Sequence, residues 1–133
     1  MLDTNLCIRV LRDRPQGLRD RFNAEAASLC ISTVTLGELL FGAEKARQPV
    51  ETRKEVEHFS ARLEVLSFDE AAAAHFADIR AVLERKGQTI GAYDMMIAGH
   101  ARSRGLVVVT GNLREFTRVD GLRAEDWLVL PAN

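Results

Sequence analysis

Nothing in this 133-residue sequence approaches the ~18 consecutive apolar residues that a membrane-spanning helix needs. Wholly apolar stretches run to no more than four residues, and one of them, Leu106-Val107-Val108-Val109, suits a buried strand instead. The first fifteen residues carry three arginines and two aspartates, with neither an apolar core nor a small-residue cleavage site, so they do not resemble a signal peptide. Cysteine is scarce. Cys7 and Cys30 allow at most one bridge and match no metal-ligand spacing, so both are expected as small core residues in a reducing cytoplasm. The three histidines, His58, His75 and His100, have no second histidine or cysteine one helical turn away and read as structural or surface groups. No phosphate-cradling glycine loop, dinucleotide-binding turn or Gly-x-Ser-x-Gly elbow occurs. No repeat or linker-like tract divides the chain, so residues 1–133 are expected to form a single domain.

What is present is an ordinary globular composition, 47% hydrophobic and 28% charged. The net charge of −1 argues against a generic nucleic-acid binder. Its make-up points the other way, since 15 of the 18 basic residues are arginine, the better fork for phosphate oxygens. If four acids gather in one site, 15 of the 19 acids remain against those 18 bases, and the rest of the surface is mildly basic.

Hydrophobic periodicity and turn residues predict helices near 5–12, 17–24, 33–46, 49–63, 68–87, 92–104 and 113–115. Ser32 or Thr33 can cap the third of these, and Ser67-Phe68-Asp69-Glu70 has the form of a capping box for the fifth. Strands are expected at Met1-Leu2, Ser28–Ser32, Glu64–Ser67, Leu106–Thr110 and Trp127-Leu128-Val129. A strand of two residues would be better formed with a few before it, which leaves open a start upstream of Met1. Short strands of continuous apolar character, separated by helices, imply a mostly parallel sheet covered on both faces. The expected fold is α/β, three-layered, with about five strands.

Parallel sheets bind ligands at the carboxyl ends of their strands. Asp3-Thr4-Asn5 follows the first strand there, and Thr110-Gly111-Asn112 follows the Val-rich one, with Glu115 a helical turn later. Glu38 lies among Leu36, Leu39, Leu40 and Phe41, and Asp94 among Tyr93, Met95, Met96 and Ile97. Each acid has a plainer explanation. Asp3 could cap a helix, Thr35-x-x-Glu38 could be a capping box, Asp94 could offset its helix dipole, and Glu115 could be a solvated surface acid. Taken together, carboxylates on apolar segments call for a cation, because two of them ~4 Å apart repel by about 4 kcal/mol at an effective dielectric near 20. Oxygen ligands select a hard ion, Mg²⁺ or Mn²⁺.

At these positions the sequence resembles the PIN-domain nucleases, and among them the VapC toxins of bacterial toxin–antitoxin pairs. The residues that carry the likeness are Met1 to Asn5, Ser32 to Leu39, Ile90 to Ala101 and Val109 to Phe116, with Gly121 to Trp127 closing the series. The resemblance implies Asp3, Glu38 and Asp94 as metal ligands, Glu115 as a fourth catalytic acid, and Thr4, Asn5, Thr110 and Asn112 as supporting polar groups. Where many PIN domains place an aspartate directly after the fourth strand, this sequence has Gly111 and Asn112, so it departs from the family at the position that would serve a second metal. The resemblance further implies cleavage of RNA, with initiator tRNA at its anticodon loop the expected substrate. It also implies a VapB-type antitoxin partner, contact with DNA only through that antitoxin, and a homodimer.

Two rivals remain. Phosphatases of the haloacid-dehalogenase type and receiver domains need a lysine after a later strand, but Lys45, Lys54 and Lys86 all fall in predicted helices. A non-catalytic module that only binds antitoxin and aids repression is the other alternative.

Overall fold

The structure is a computed structural model and describes residues 1–128. Its contacts divide the chain into two compact units, Leu2–Ser67 on one hand and Met1 with Phe68–Asn133 on the other.

In the first unit, α1 (Thr4–Arg12) begins where the Asp3 carboxylate accepts the amide of Leu6 at 2.8 Å, which satisfies one of the orphan donors of the first turn. Helix α2 (Leu18–Glu25) and a 3₁₀ turn (Ala26–Ser28) lead into β1 (Cys30–Ser32). Ser32 ends that strand and caps α3 (Thr33–Glu44), its hydroxyl accepting from Val34 N. The Thr35–Glu38 capping box is therefore not formed. Pro49 opens α4 (Pro49–Ser60), and β2 (Glu64–Leu66) pairs in parallel with β1, Ile31 opposite Val65. Leu2 N also bonds to Cys30 O at 2.9 Å. Leu2, Leu6, Cys7, Val10, Phe22, Ile31, Val56 and Phe59 are all buried, and the rings of Phe22 and Phe59 stack with centroids 4.8 Å apart. Cys7 and Cys30 are free and buried, as small core residues should be.

In the second unit, Asp69 caps α5 (Glu70–Lys86) by accepting Ala72 N. This corrects the expected box at Ser67: the residue nearest the first free amides takes the role. Gly87 closes α5 at φ +65°, a left-handed conformation that favours glycine. Helix α6 (Ala92–Ser103) packs on α5 at Gly99, then β3 (Val107–Thr110), α7 (Leu113–Phe116) and β4 (Arg123–Asp126) follow. Strands β3 and β4 are parallel, Val108 opposite Ala124. The Met1 amino group bonds to Val107 O, and Val109 N bonds to Met1 O. Arg102 joins three segments here, donating to His75 Nδ1, to Asp78 Oδ2 and to the carbonyl of Asp120.

The α/β class is borne out, and among the described residues the strands pair in parallel, but as two two-stranded sheets, β1–β2 and β3–β4, rather than as one. Among the described residues there are four strands rather than about five, with the Met1-Leu2 segment contributing sheet-like hydrogen bonds without being a strand. The last strand lies at Arg123–Asp126 and not at Trp127-Leu128-Val129. Trp127 and Leu128 form a bend, and Val129 is outside the described residues. Among the described residues, no helix is long and apolar enough to cross a membrane.

Candidate functional site

The first unit brings Asp3, Thr4 and Glu38 together. Asp3 must stand at the start of α1 because it caps that helix, and only 2% of it is exposed. Capping places its neighbour Thr4 in the first turn, buried, with its hydroxyl 2.6 Å from Glu38 Oε1. Glu38 comes from the middle of α3 and is half-buried. Asn5, expected nearby, is exposed to solvent. The combined field of the two acids is felt by Cys7, whose thiol is pushed well above its ordinary value of 9.0, first by burial, then by the charge of Asp3, with a lesser push from Glu38.

The residue that sequence reasoning misread is Thr35. Its spacing to Glu38 suggests half of a capping box, but Ser32 takes the cap, so Thr35 lies inside α3 with no exposure and its hydroxyl 3.2 Å from Thr4 Oγ1. The available signal was a hydroxyl three residues before an acid, hence on the same helix face.

The second unit holds the remaining candidates. Asp94 is half-buried in the first turn of α6, where an acid complements the helix dipole. Its Oδ2 lies 3.5 Å from the point where a Cβ on Gly91 would stand, so the carboxylate folds back over the helix start. Thr110 ends β3 fully buried and accepts Asn112 N at 2.8 Å, which turns the chain into α7. Asn112 precedes α7 without a side-chain capping bond, and Glu115 sits in that helix, half-buried. His75 accepts a hydrogen bond from Arg102 and His100 is buried against the edge of Phe68, the structural roles expected of them.

Among the described residues, no three His, Cys, Asp or Glu side chains are grouped so as to hold an ion. The pair formed by Asp3 and Glu38 nevertheless fits Mg²⁺ or Mn²⁺ in its chemistry. Its donors are all oxygen, and magnesium is commonly held by one or two carboxylates with water completing the shell.

A PIN domain family model matches residues 1–122, and so runs through both units. The tRNA(fMet)-specific endonuclease VapC of Salmonella typhimurium is 56% identical over 127 residues, 96% of each chain. The protein of the same description from Shigella flexneri is 54% identical over the same length and coverage. Among solved structures, DNA-bound VapBC from Salmonella typhimurium aligns with a TM-score of 0.90 at 56% identity, covering 96% of both chains. With the family model matching most of its length and more than half its residues shared with two VapC proteins, the chain belongs to the PIN-domain family and, within it, to the VapC group.

Proposed function

We propose that this chain is a toxin-type endoribonuclease that cleaves tRNA, at the anticodon loop of initiator tRNA, and is held in check by a VapB-type antitoxin. The observation that carries the reading is 56% identity, end to end, with an endonuclease described as specific for tRNA(fMet). The hydrogen-bonded Asp3, Thr4 and Glu38 supply the chemical part of it.

Asp3 and Glu38 are the proposed ion-holding pair, with Asp94 assigned as a further ligand and Glu115 as a catalytic acid because the family match includes their segments. Bound there, Mg²⁺ or Mn²⁺ would make water a stronger acid and would offset charge on the scissile phosphate. Asp3 is held in place by Leu6 N, which donates to one of its carboxylate oxygens. Glu38 is oriented by Thr4 in the same way. Thr110 shapes the turn that presents Asn112 and Glu115. Hydrolysis by water needs no attack from the ribose, so the products carry 5′-phosphate and 3′-hydroxyl ends. An unpaired loop suits such an enzyme because its bases and backbone are accessible.

The DNA-bound VapBC assembly of a relative supports a toxin–antitoxin complex that engages DNA, and the proposal assigns that contact to the antitoxin. Homodimerisation and a cytoplasmic location, where tRNA resides, complete the proposal. Incubating the purified chain with total tRNA in Mg²⁺, and again with EDTA, tests it. Fragments in Mg²⁺ alone, with the stated ends, are expected. Fragments ending in 2′,3′-cyclic phosphate, or none from any RNA, would overturn it and favour a module that only binds antitoxin.

A further inference from the structure

We propose that Thr35 is a positioning residue for Glu38, acting through Thr4; this rests on the metal-nuclease reading above. Three oxygens lie in a row. Thr35 Oγ1 is 3.2 Å from Thr4 Oγ1, and Thr4 Oγ1 is 2.6 Å from Glu38 Oε1. Both threonines are buried, with Thr35 at 0% and Thr4 at 8% exposure.

Proton bookkeeping sets the direction of the chain. A hydroxyl carries one hydrogen, while an ionised carboxylate carries none. The 2.6 Å contact lies in the short range of a hydroxyl donating to a carboxylate, so the proton of Thr4 goes to Glu38. Thr4 Oγ1 then has only lone pairs to offer, and its contact with Thr35 needs the hydrogen of Thr35. Donation runs from Thr35 to Thr4 to Glu38. Each bond polarises the next, so the last is strengthened by the first.

The consequence is geometric. Oε1 of Glu38 is tied inward, and Oε2 is the oxygen left for an ion or its water. The capping of α3 by Ser32 makes this possible, since it spares Thr35 from the helix end. Loss of the Thr35 hydroxyl would free Thr4 to rotate and Glu38 to wander, while touching no ligand directly.

Direct metal binding tests this without relying on cleavage. The full chain is titrated with Mn²⁺, and the free ion is followed by its paramagnetic resonance signal. Thr35→Val is expected to weaken Mn²⁺ binding about 10- to 100-fold, the scale for removing a group that orients a ligand. Thr35→Ser, which keeps the hydroxyl, should bind as the unaltered chain does, with melting temperatures showing that each variant is folded. Because the two threonines act in series, Thr4→Val with Thr35→Val should lose no more than Thr4→Val alone. Equal losses in Thr35→Ser and Thr35→Val, or additive losses in the double variant, would overturn the proposal. So would unchanged binding in Thr35→Val where Glu38→Gln weakens it. If Glu38→Gln also binds normally, the ion-holding assignment of Glu38 falls and takes this proposal with it.

Discussion

Gly99 of α6 and Phe76 of α5 approach so closely that a Cβ at position 99 would stand 2.6 Å from the backbone nitrogen of Phe76 and 2.9 Å from its Cα. Backbone cannot swing aside as a side chain can. Gly99→Ala must therefore part the two helices, and a cost of about 1–3 kcal/mol is expected, the range for overpacking a filled interior. Thermal denaturation reads it directly. An unchanged melting temperature would mean that this helix pair is looser than its contact implies.

Asp3 has two separable duties, capping α1 and, by proposal, holding the ion. Asn caps about as well as Asp, so Asp3→Asn should melt close to the unaltered protein while RNA cleavage drops at least ~100-fold. Asp3→Ala should lose the same activity and a further ~1 kcal/mol of stability. Should Asp3→Asn cleave normally, the carboxylate is only a cap.

Asp94 lies in the first turn of α6, where its charge is worth about 0.3–1 kcal/mol to the helix. Asp94→Asn should leave the fold intact and remove at least ~100-fold of cleavage if the acid is part of the active site. Cleavage of a labelled tRNA by the folded variant decides, and near-normal rates would remove Asp94 from the catalytic set.

His100 gives a pH dependence of known sign. Burial holds it below its ordinary value of 6.5, while the charge of Asp69 pulls upward and that of Arg104 pushes further down. As pH falls through 6.5 the unfolded chain binds a proton that the folded chain resists, so stability declines until the lower folded value is reached. Between pH 7.5 and 5.5, both round values on either side of the free-histidine range, the melting temperature should fall more steeply than in His100→Gln. Parallel slopes would show that this ring is not the source.

Much of the architecture was legible because helices announce themselves locally. Ser32 before α3, Pro49 at the start of α4 and Gly87 after α5 each act on backbone within a turn of themselves. The error at β4 has an equally physical origin. Arg123–Asp126 alternates exposed with half-buried residues and carries three charges, whereas the apolar run that follows looks like a strand. Charged residues are common on edge strands because they discourage wrong pairing, and an apolar-run criterion passes over them. In the candidate site, Asp3, Thr4 and Glu38 were readable as acids and a hydroxyl in odd company. The role of Thr35 was not, since it depends on which of several hydroxyls takes the helix cap. That choice is settled by the path of the chain leaving β1.

The three donations of Arg102, to His75, Asp78 and the carbonyl of Asp120, make one guanidinium the common anchor of α5, α6 and the turn before β4. A lysine there would have to reach all three acceptors from a single nitrogen, whereas the guanidinium addresses each from a different one. The segment running into β4 thus depends for its order on a side chain rooted in a different helix. Amide exchange at the carboxyl end of the described chain would report on the integrity of α5 and α6 as well as on its own.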